Sequence, residues 1–600
     1  MKANIKNIQI FFLIILGLYP LLRFNWTSMA LIGFCALFLF TAIKNKRIKF
    51  NKDTLLNFIL LSAYFLLLII SIAYSLNKEE AVNRIIQLSP LVIVPFILSF
   101  VQDKISVKTK AIVLYIFILA NLIYTLVIFI VFLFTLDNWD YTLSHFLFDY
   151  DKFQFILNKS IKNDELFVHK AYFSMGFVFS AIFCLNKFFN TFPSYGVLFK
   201  ILYLSVFIYF STWVFYAFSF PNVIALLLSV LFLLYYKLSK KFFLYSIVLF
   251  STVSCLFIII KSNDIDVQRG INFVKSAINN QEYEVNDVRI EIYKSYSSIA
   301  KNSSLADKIF GFGVGDVQDK LSDEYQDRLN YSKSINSLYF TEEFDNMFWF
   351  KNNIEVVSNK MTSPDETLKA ELVYVREDHA EKSHNLSSNI KIYKEGLYTF
   401  SVFAKTENSR SLVLRLGEIN QRVVFNLENG TIIKKINTMH AGIKKLNDDW
   451  YRCYISVNLS KDCLALIGLS NKTGDYVFEN WQQKGLYLWG AQLEQGQLTN
   501  YVKNNKELLQ DALDRKLNTH NNYLFFLLAI GITGLIAFLA TIIFLFSKSI
   551  KTFDILKLTF CIITTINFLT ENILSRHWGL MFFSFMLIVL FSNQEKSIKE

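Results

Sequence analysis

Six hundred residues, 53% of them hydrophobic, 16% aromatic and only 18% charged, present more apolar surface than a fully soluble enzyme can hide. Mean hydropathy is +0.35, and 6 Pro, 20 Gly and 6 Cys exclude a disordered, collagenous or disulfide-stapled chain. The net charge of +12 is spread along the chain and forms no patch for nucleic acid, which leaves an α-helical polytopic membrane protein.

A membrane-spanning helix needs about 20 mostly apolar residues. Such runs lie near 8–24, 27–43, 54–75, 85–101, 110–136, 168–187, 196–218, 221–237, 242–260, 521–546, 555–570 and 577–592, about twelve in all. The weakest are 85–101, which carries Pro90 and Pro95, and the close pair around Pro221. With the N-terminus inside, the connections 44–52, 104–110, 187–200, 237–241 and 548–557 are short and basic. The alternate connections 76–84, 137–167, 261–520 and 571–576 are acidic or mixed, one of them holding Asp137, Asp140, Asp149, Asp151, Asp164 and Glu165. The positive-inside bias therefore predicts cytoplasmic termini and a long outer loop. The first apolar run leads straight into a second without a small-residue cleavage site, unlike a signal peptide. The ionisable residues sit at span ends, and neither an internal repeat nor a broken helix is expected.

Within the loop 261–520 the pattern changes. Residues 284–330 are helical, with Ile290, Ile292, Tyr293, Tyr296 and Ile299 on an apolar face. From 338 to 503 short alternating runs take over: Leu397–Ala404, Ser411–Leu416, Arg422–Leu427, Tyr451–Leu459 and Leu464–Leu469. Turn signals at Glu395-Gly396, Glu428-Asn429-Gly430, Thr473-Gly474 and Lys484-Gly485 separate them, as in an antiparallel sandwich. A helix is expected again at 506–517. The predicted organisation is spans one to nine in 1–260, a helical loop in 261–337, an inserted all-β sandwich in 338–503, a helix in 504–520, and spans ten to twelve with a tail in 521–600. Cys453 and Cys463 are expected on neighbouring strands without direct opposition, as buried thiols in preference to a disulfide.

The ends of the β region carry Tyr339–Asn346 with Phe348-Trp349, then Asp449-Trp450-Tyr451-Arg452, and Tyr487–Gly496 with its WGAQLE stretch. These resemble the carbohydrate-binding-module-like jelly rolls of phage tail proteins and secreted bacterial enzymes. The resemblance implies a jelly-roll fold and, more weakly, a sugar ligand stacked on Trp349, Trp450 or Trp489. Aromatics at strand spacing also pack cores, and that reading is preferred.

Three features with chemical potential flank the loop. Asp287-Val288-Arg289 opens the helical segment, and an arginine presents a planar fork of donors suited to phosphate; a snorkelling anchor is the plain reading. Gly311-Phe312-Gly313-Val314-Gly315-Asp316 lets backbone approach a ligand or turn sharply, but is no dinucleotide or P-loop signature. Asn518-Thr519-His520-Asn521-Asn522 stands at the mouth of span ten. There a histidine can take a proton near neutral pH, and an asparagine can cap a helix or bind hydroxyls. No metal-ligand spacing is found.

Together the G-x-G-x-G run, the His-Asn-x-x-Leu start of a helix and Gly531-x-x-Gly534-Leu535 resemble the O-antigen ligase and polymerase superfamily. Arg289 matches that family's arginine upstream of the glycines. Glu571, in Thr570-Glu571-Asn572, matches its acidic residue, with Arg576 and His577 beside it. The resemblance covers roughly 160–592 without the sandwich. It implies a multi-span, GT-C type glycosyltransferase of a bacterial inner membrane, without cofactor or metal. Such an enzyme moves a glycan from undecaprenyl pyrophosphate, a membrane lipid, to an acceptor such as the lipid A core. His520 and Arg289 are the implied catalytic residues; Gly311, Gly313, Gly315, Asn521, His169, Glu571 and Arg576 are the implied substrate contacts. One departure stands out. The family's second outer arginine is missing from Ala217–Asn222; His169-Lys170 and Arg576 are candidates to grip the pyrophosphate in its place, and lost or altered activity is the alternative. A polymerase or a protein O-oligosaccharide ligase would share the donor. A sugar sensor or transporter is the alternative of another class, though transporters commonly show repeats and charges at mid-membrane.

Overall fold

The computed structural model describes residues 2–22, 24–134, 169–190, 196–217, 219–245, 247, 252, 288–331, 336–346, 348–375, 383–392, 394–446, 449–470, 485–504 and 507–593. The acidic connection 137–167, most of the run 242–260, Cys255 and Asp287 lie outside them. The chain divides into two compact units. One joins Met1–Glu324 to Lys516–Glu600, and the other is Tyr325–Arg515.

The first unit is helical. In chain order its helices are α1 (Lys2–Gly17), α2 (Phe24–Lys44), α3 (Lys52–Ser71), α4 (Lys78–Leu88), α5 (Pro90–Phe100), α6 (Val107–Phe134), α7 (Lys170–Asn190), α8 (Val197–Ala217) and α9 (Phe220–Lys237). There follow α10 (Val288–Asn302), α11 (Leu305–Phe310) and α12 (Val317–Tyr331), the last running into the second unit. After the second unit, which contains α13 (Glu507–Asp514), come α14 (Asn522–Lys551), α15 (Ile555–Thr570) and α16 (His577–Phe591). Among the described residues seven helices are long and apolar enough to cross a membrane: α2, α3, α6, α7, α8, α9 and α14. Their outward faces are oily, as at Leu198 (77% exposed) and Ile543 (67%).

Two spans differ from expectation. The run 85–101 is a broken pair, α4 and α5, bent by 41°. Pro90 lacks an amide hydrogen and its ring clashes with the preceding turn, so the helix breaks at Ser89. Helix α14 is also interrupted: Ile530 (φ −135°, ψ 18°) and Gly531 (φ 64°, ψ −164°) leave helical geometry. No broken helix was expected, because a lone glycine in an apolar run does not by itself announce a turn.

The second unit holds an antiparallel sandwich of two six-stranded sheets. Its strands are β1 (Phe350–Asn352), β2 (Ile354–Met361), β3 (Ala370–Val375), β4 (Asn385–Ile390), β5 (Gly396–Thr406), β6 (Ser411–Leu416), β7 (Arg422–Asn426), β8 (Thr431–Ile436), β9 (His440–Lys445), β10 (Tyr451–Leu459), β11 (Cys463–Ser470) and β12 (Gly485–Gln495). The sheet orders are β1-β4-β11-β6-β7-β8 and β2-β3-β12-β5-β10-β9. Alternate residues of the central strands turn inward, as Leu412, Leu414 and Leu416 do from β6, and meet Phe400, Ile455 and Leu488. Burying such side chains contributes about 1.5–3 kcal/mol each. Most connections cross between sheets, so the core is built from residues distant in sequence.

Two corrections follow. Cys453 and Cys463 lie on β10 and β11, which belong to opposite sheets and are not neighbours. Both are free thiols, Cys453 fully buried and Cys463 partly so. Alkylation without reductant should therefore modify Cys463 in the folded protein and reach Cys453 only after denaturation; an added mass of two protons on reduction would contradict this. Second, Trp349, Trp450 and Trp489 are 1%, 3% and 5% exposed. Trp349 Nε1 donates to the Phe340 carbonyl at 3.0 Å, and Trp450 and Trp489 pack with Ala370 and Phe403. No face of these indoles is open for a sugar ring, and stacking on them is withdrawn.

Candidate functional site

The first unit gathers three ionisable side chains from distant stretches of sequence. Arg289 stands in the first turn of α10, His520 just before α14, and Glu571 in the turn after α15. Glu571 Oε1 is 3.9 Å from an Arg289 terminal nitrogen, and its Oε2 is 3.4 Å from His520 Nδ1. The carboxylate is buried, whereas the Arg289 side chain is 45% exposed and that of His520 is 25% exposed. Glu571 thus stands between a guanidinium and an imidazole whose outer edges remain accessible.

Electrostatics follow from this placement. Burial on its own would raise the Glu571 pKa, but contact with His520 and the charges of His169, His520 and Arg289 outweigh it and hold the carboxyl below its usual range. The ionised form therefore stabilises the fold. Its contribution is complete above the ordinary carboxylate pKa of about 4.3 and is lost as pH falls through the depressed native value. Glu571→Gln is expected to flatten the acid limb of a thermal-stability profile below about pH 4. An acid limb identical to wild type would remove Glu571 from that role.

Local structure explains why His520 is held. Its backbone has φ +43°, a left-handed conformation uncommon outside glycine and frequent at functional sites. Its N–H donates to Asn518 Oδ1 at 2.9 Å. Asn521 then caps α14, accepting from Leu524 N at 3.1 Å, while its Nδ2 donates to the Leu569 carbonyl at 2.9 Å. Next to it, Asn522 Nδ2 donates to Asn572 Oδ1 at 2.5 Å. Below these, Asn222 of α9 and Asn567 of α15 exchange amide hydrogen bonds at 3.2 and 2.9 Å. Of these asparagines Asn222, Asn521, Asn522, Asn567 and Asn572 are buried. An unsatisfied buried amide costs about 1–3 kcal/mol, so this paired set fixes α9, α14 and α15 against one another around Glu571.

Orientation of the imidazole has a chemical consequence. Nδ1 faces the Glu571 carboxylate, close enough for charge attraction although not aligned as a hydrogen bond. A carboxylate on that side favours the tautomer with hydrogen on Nδ1, leaving Nε2 as the acceptor.

Other expected contacts distribute as follows. His169 lies just before α7 and acts on Glu571 by charge. Arg576 is exposed at the start of α16, where it and Glu571 both lie within charge reach of the Tyr172 hydroxyl. The stretch that lacks an arginine, Ala217–Asn222, supplies the buried Asn222 to the asparagine set instead of a cation.

The glycine run sits elsewhere. Phe312 N donates to the Leu528 carbonyl at 2.8 Å and Gly313 N to that of Ala529 at 2.9 Å. Val314 N reaches Ser71 Oγ at 3.1 Å and Gly315 N reaches Ser75 Oγ at 3.3 Å. Asp316 caps the following turn, accepting from Leu76 N and Asn77 N at 2.7 and 2.8 Å. The amides of Gly313 and Gly315 are thus engaged by protein groups, and close backbone packing is what requires glycine there. The sequence reading missed Asn222, Asn567 and Asn572. An asparagine inside an otherwise apolar run is the signal that marks two of them, since burying one is costly without a partner.

No described protein family and no curated protein matches this chain. Among solved structures, one likeness is to the enzymatically active domain of tailspike protein 4 of bacteriophage CBA120. Identity is 12%, covering 27% of this chain and 22% of that one, with a TM-score of 0.15. The chain spans under a quarter of that domain, and the likeness carries no argument.

Proposed function

We propose that this protein is an O-antigen ligase-like glycosyltransferase of a bacterial inner membrane. In this reading it spans the bilayer about twelve times with both termini cytoplasmic, and its loop with the sandwich is periplasmic. It transfers a glycan from undecaprenyl pyrophosphate to an acceptor hydroxyl, such as one on the lipid A core. The observation that carries the reading is the cluster of Arg289, His520 and Glu571 beside a set of apolar helices. Composition, the basic inner connections and the oily outward helix faces support the membrane placement.

The chemistry uses these side chains directly. The acceptor oxygen forms a bond to the anomeric carbon of the glycan as the bond from that carbon to the phosphate oxygen breaks. The electron pair leaves with undecaprenyl pyrophosphate. His520 Nε2 takes the acceptor proton, and Glu571 stabilises the imidazolium that results. Arg289 meets the negative charge developing on the leaving pyrophosphate, with Arg576 and His169 as further cations.

The test is a gel of lipopolysaccharide and carrier-linked glycan from a deletion strain, complemented with wild type or with His520→Ala. Bare core together with long chains on the carrier, restored by wild type alone, is expected. Core bearing a single repeat unit would indicate a polymerase. An unchanged pattern in every lane would remove both.

A further inference from the structure

We infer that α14 is a helical hairpin bent at Gly531, its first segment dipping into the membrane beside its spanning second segment, so that the His520–Glu571 site lies recessed below the outer membrane surface. This deepens the proposed function and rests on its membrane reading. Three aromatic rings show the fold-back. Tyr523 and Phe538 have ring centroids 5.6 Å apart, and Phe526 and Phe538 4.4 Å. In one continuous helix those pairs would be separated by about 22 and 18 Å along the axis. The segment before Gly531 therefore folds back along the segment after it.

The ends of the short segment fix its direction. Its last residues lie level with the outer end of α3: the loop that pairs with Leu528 and Ala529 also packs on Ser75. Its first residues lie beside the end of α15, where Tyr523 Oη donates to the Thr565 carbonyl and Asn521 to that of Leu569. From His520 the chain thus runs outward to Gly531 and then returns inward to Lys551.

Helix lengths give the depth. From Gly531 to Lys551 the helix rises about 31 Å, enough to cross the hydrocarbon, whereas α15 rises only about 24 Å. The two share an inner level, because only Thr552, Phe553 and Asp554 join them. Glu571 at the top of α15 then lies about 7 Å below Gly531, and α16, equally short, starts from the same recess. The break itself, at the outer end of the hairpin, frees backbone carbonyls that a membrane tolerates only where protein satisfies them. Phe312 and Gly313 do so, donating to two carbonyls next to the break. A phosphate carried on a lipid chain reaches such a recess sideways from the bilayer, by sinking below the headgroup plane.

The test measures distances by double electron–electron resonance in lipid vesicles, using the full chain with its six native cysteines replaced by alanine. Phe553→Cys supplies an inner reference, paired with His520→Cys or with Ile532→Cys. The label at 520 is expected nearer the reference than the label at 532, by about 7 Å. A label at 520 that is farther away than that at 532 would overturn the hairpin. Should His520→Cys not insert, a Tyr523→Cys/Phe538→Cys pair cross-linked in native membranes with a short bis-maleimide gives the same decision. Closure supports the hairpin, and no closure contradicts it. A label at Ile543→Cys separates the two readings. Contact with a water-soluble relaxant instead of oxygen there would sink the membrane placement while leaving the hairpin standing.

Discussion

Replacing His520 by alanine is expected to lower glycan transfer in isolated membranes by about 10²- to 10⁴-fold, the usual contribution of a positioned proton acceptor. The reason is geometric. Glu571 Oε2 lies 3.4 Å from Nδ1, which in the proposed mechanism leaves Nε2 to receive the acceptor proton. His520→Gln keeps polarity but takes no proton at that position, so it should not restore activity. Glu571→Gln should fall between wild type and His520→Ala, since it loses the charge that stabilises imidazolium while keeping a polar group beside the ring. Transfer from a defined undecaprenyl pyrophosphate-linked glycan, assayed at matched protein levels, provides the numbers. His520→Ala membranes that retain full activity would end the general-base role.

The second large effect concerns two glycines that face each other across the break in α14. Gly311 has φ 78° and ψ −177°, and Gly531 has φ 64° and ψ −164°. This region of backbone space is almost closed to other residues. Space is lacking as well: a methyl group on Gly311 would stand 2.4 Å from the Ala529 carbonyl carbon, and one on Gly531 2.2 Å from the Ile309 oxygen. Both obstacles are backbone and cannot swing aside. Gly311→Ala should therefore cost about 2–4 kcal/mol, combining conformational strain with forced separation of the two segments. Gly196→Ala, where nothing lies within 4 Å, should stay within about 0.5 kcal/mol. Thermal unfolding in detergent compares the two. Equal melting temperatures for these variants would mean that the close approach at Gly311 does not hold the fold.

These predictions show which parts of the protein can be read from its residues. The apolar helices are legible by length and composition, and strands such as β5, β6 and β10 by apolar residues that recur with period two toward the shared core, although the outer faces of β5 and β6 are largely buried as well. Strands β8 and β9 lie at sheet edges with most side chains exposed or half-exposed, so no alternation announces them. Strand β4, Asn385–Ile390, is buried yet rich in polar residues, which masks it in the opposite way. At the site, Arg289, His520 and Glu571 are recognisable as residues with chemistry, and the fold adds that Glu571 touches both of the others. The glycine run is visible as a motif, but its use is not. Only the structure shows its backbone pressed against α14 and the end of α3. The fold-back of α14 is equally hidden, since a glycine inside an apolar stretch is compatible with a straight span.

Glycan transfer itself is measured with purified protein in lipid vesicles supplied with undecaprenyl pyrophosphate-linked glycan and an acceptor carrying free sugar hydroxyls. Released undecaprenyl pyrophosphate and glycosylated acceptor are counted together. Equal amounts of the two are expected with wild-type protein, and a loss of both with His520→Ala. Carrier release without acceptor glycosylation, or equal turnover by the two proteins, would contradict the proposed transfer.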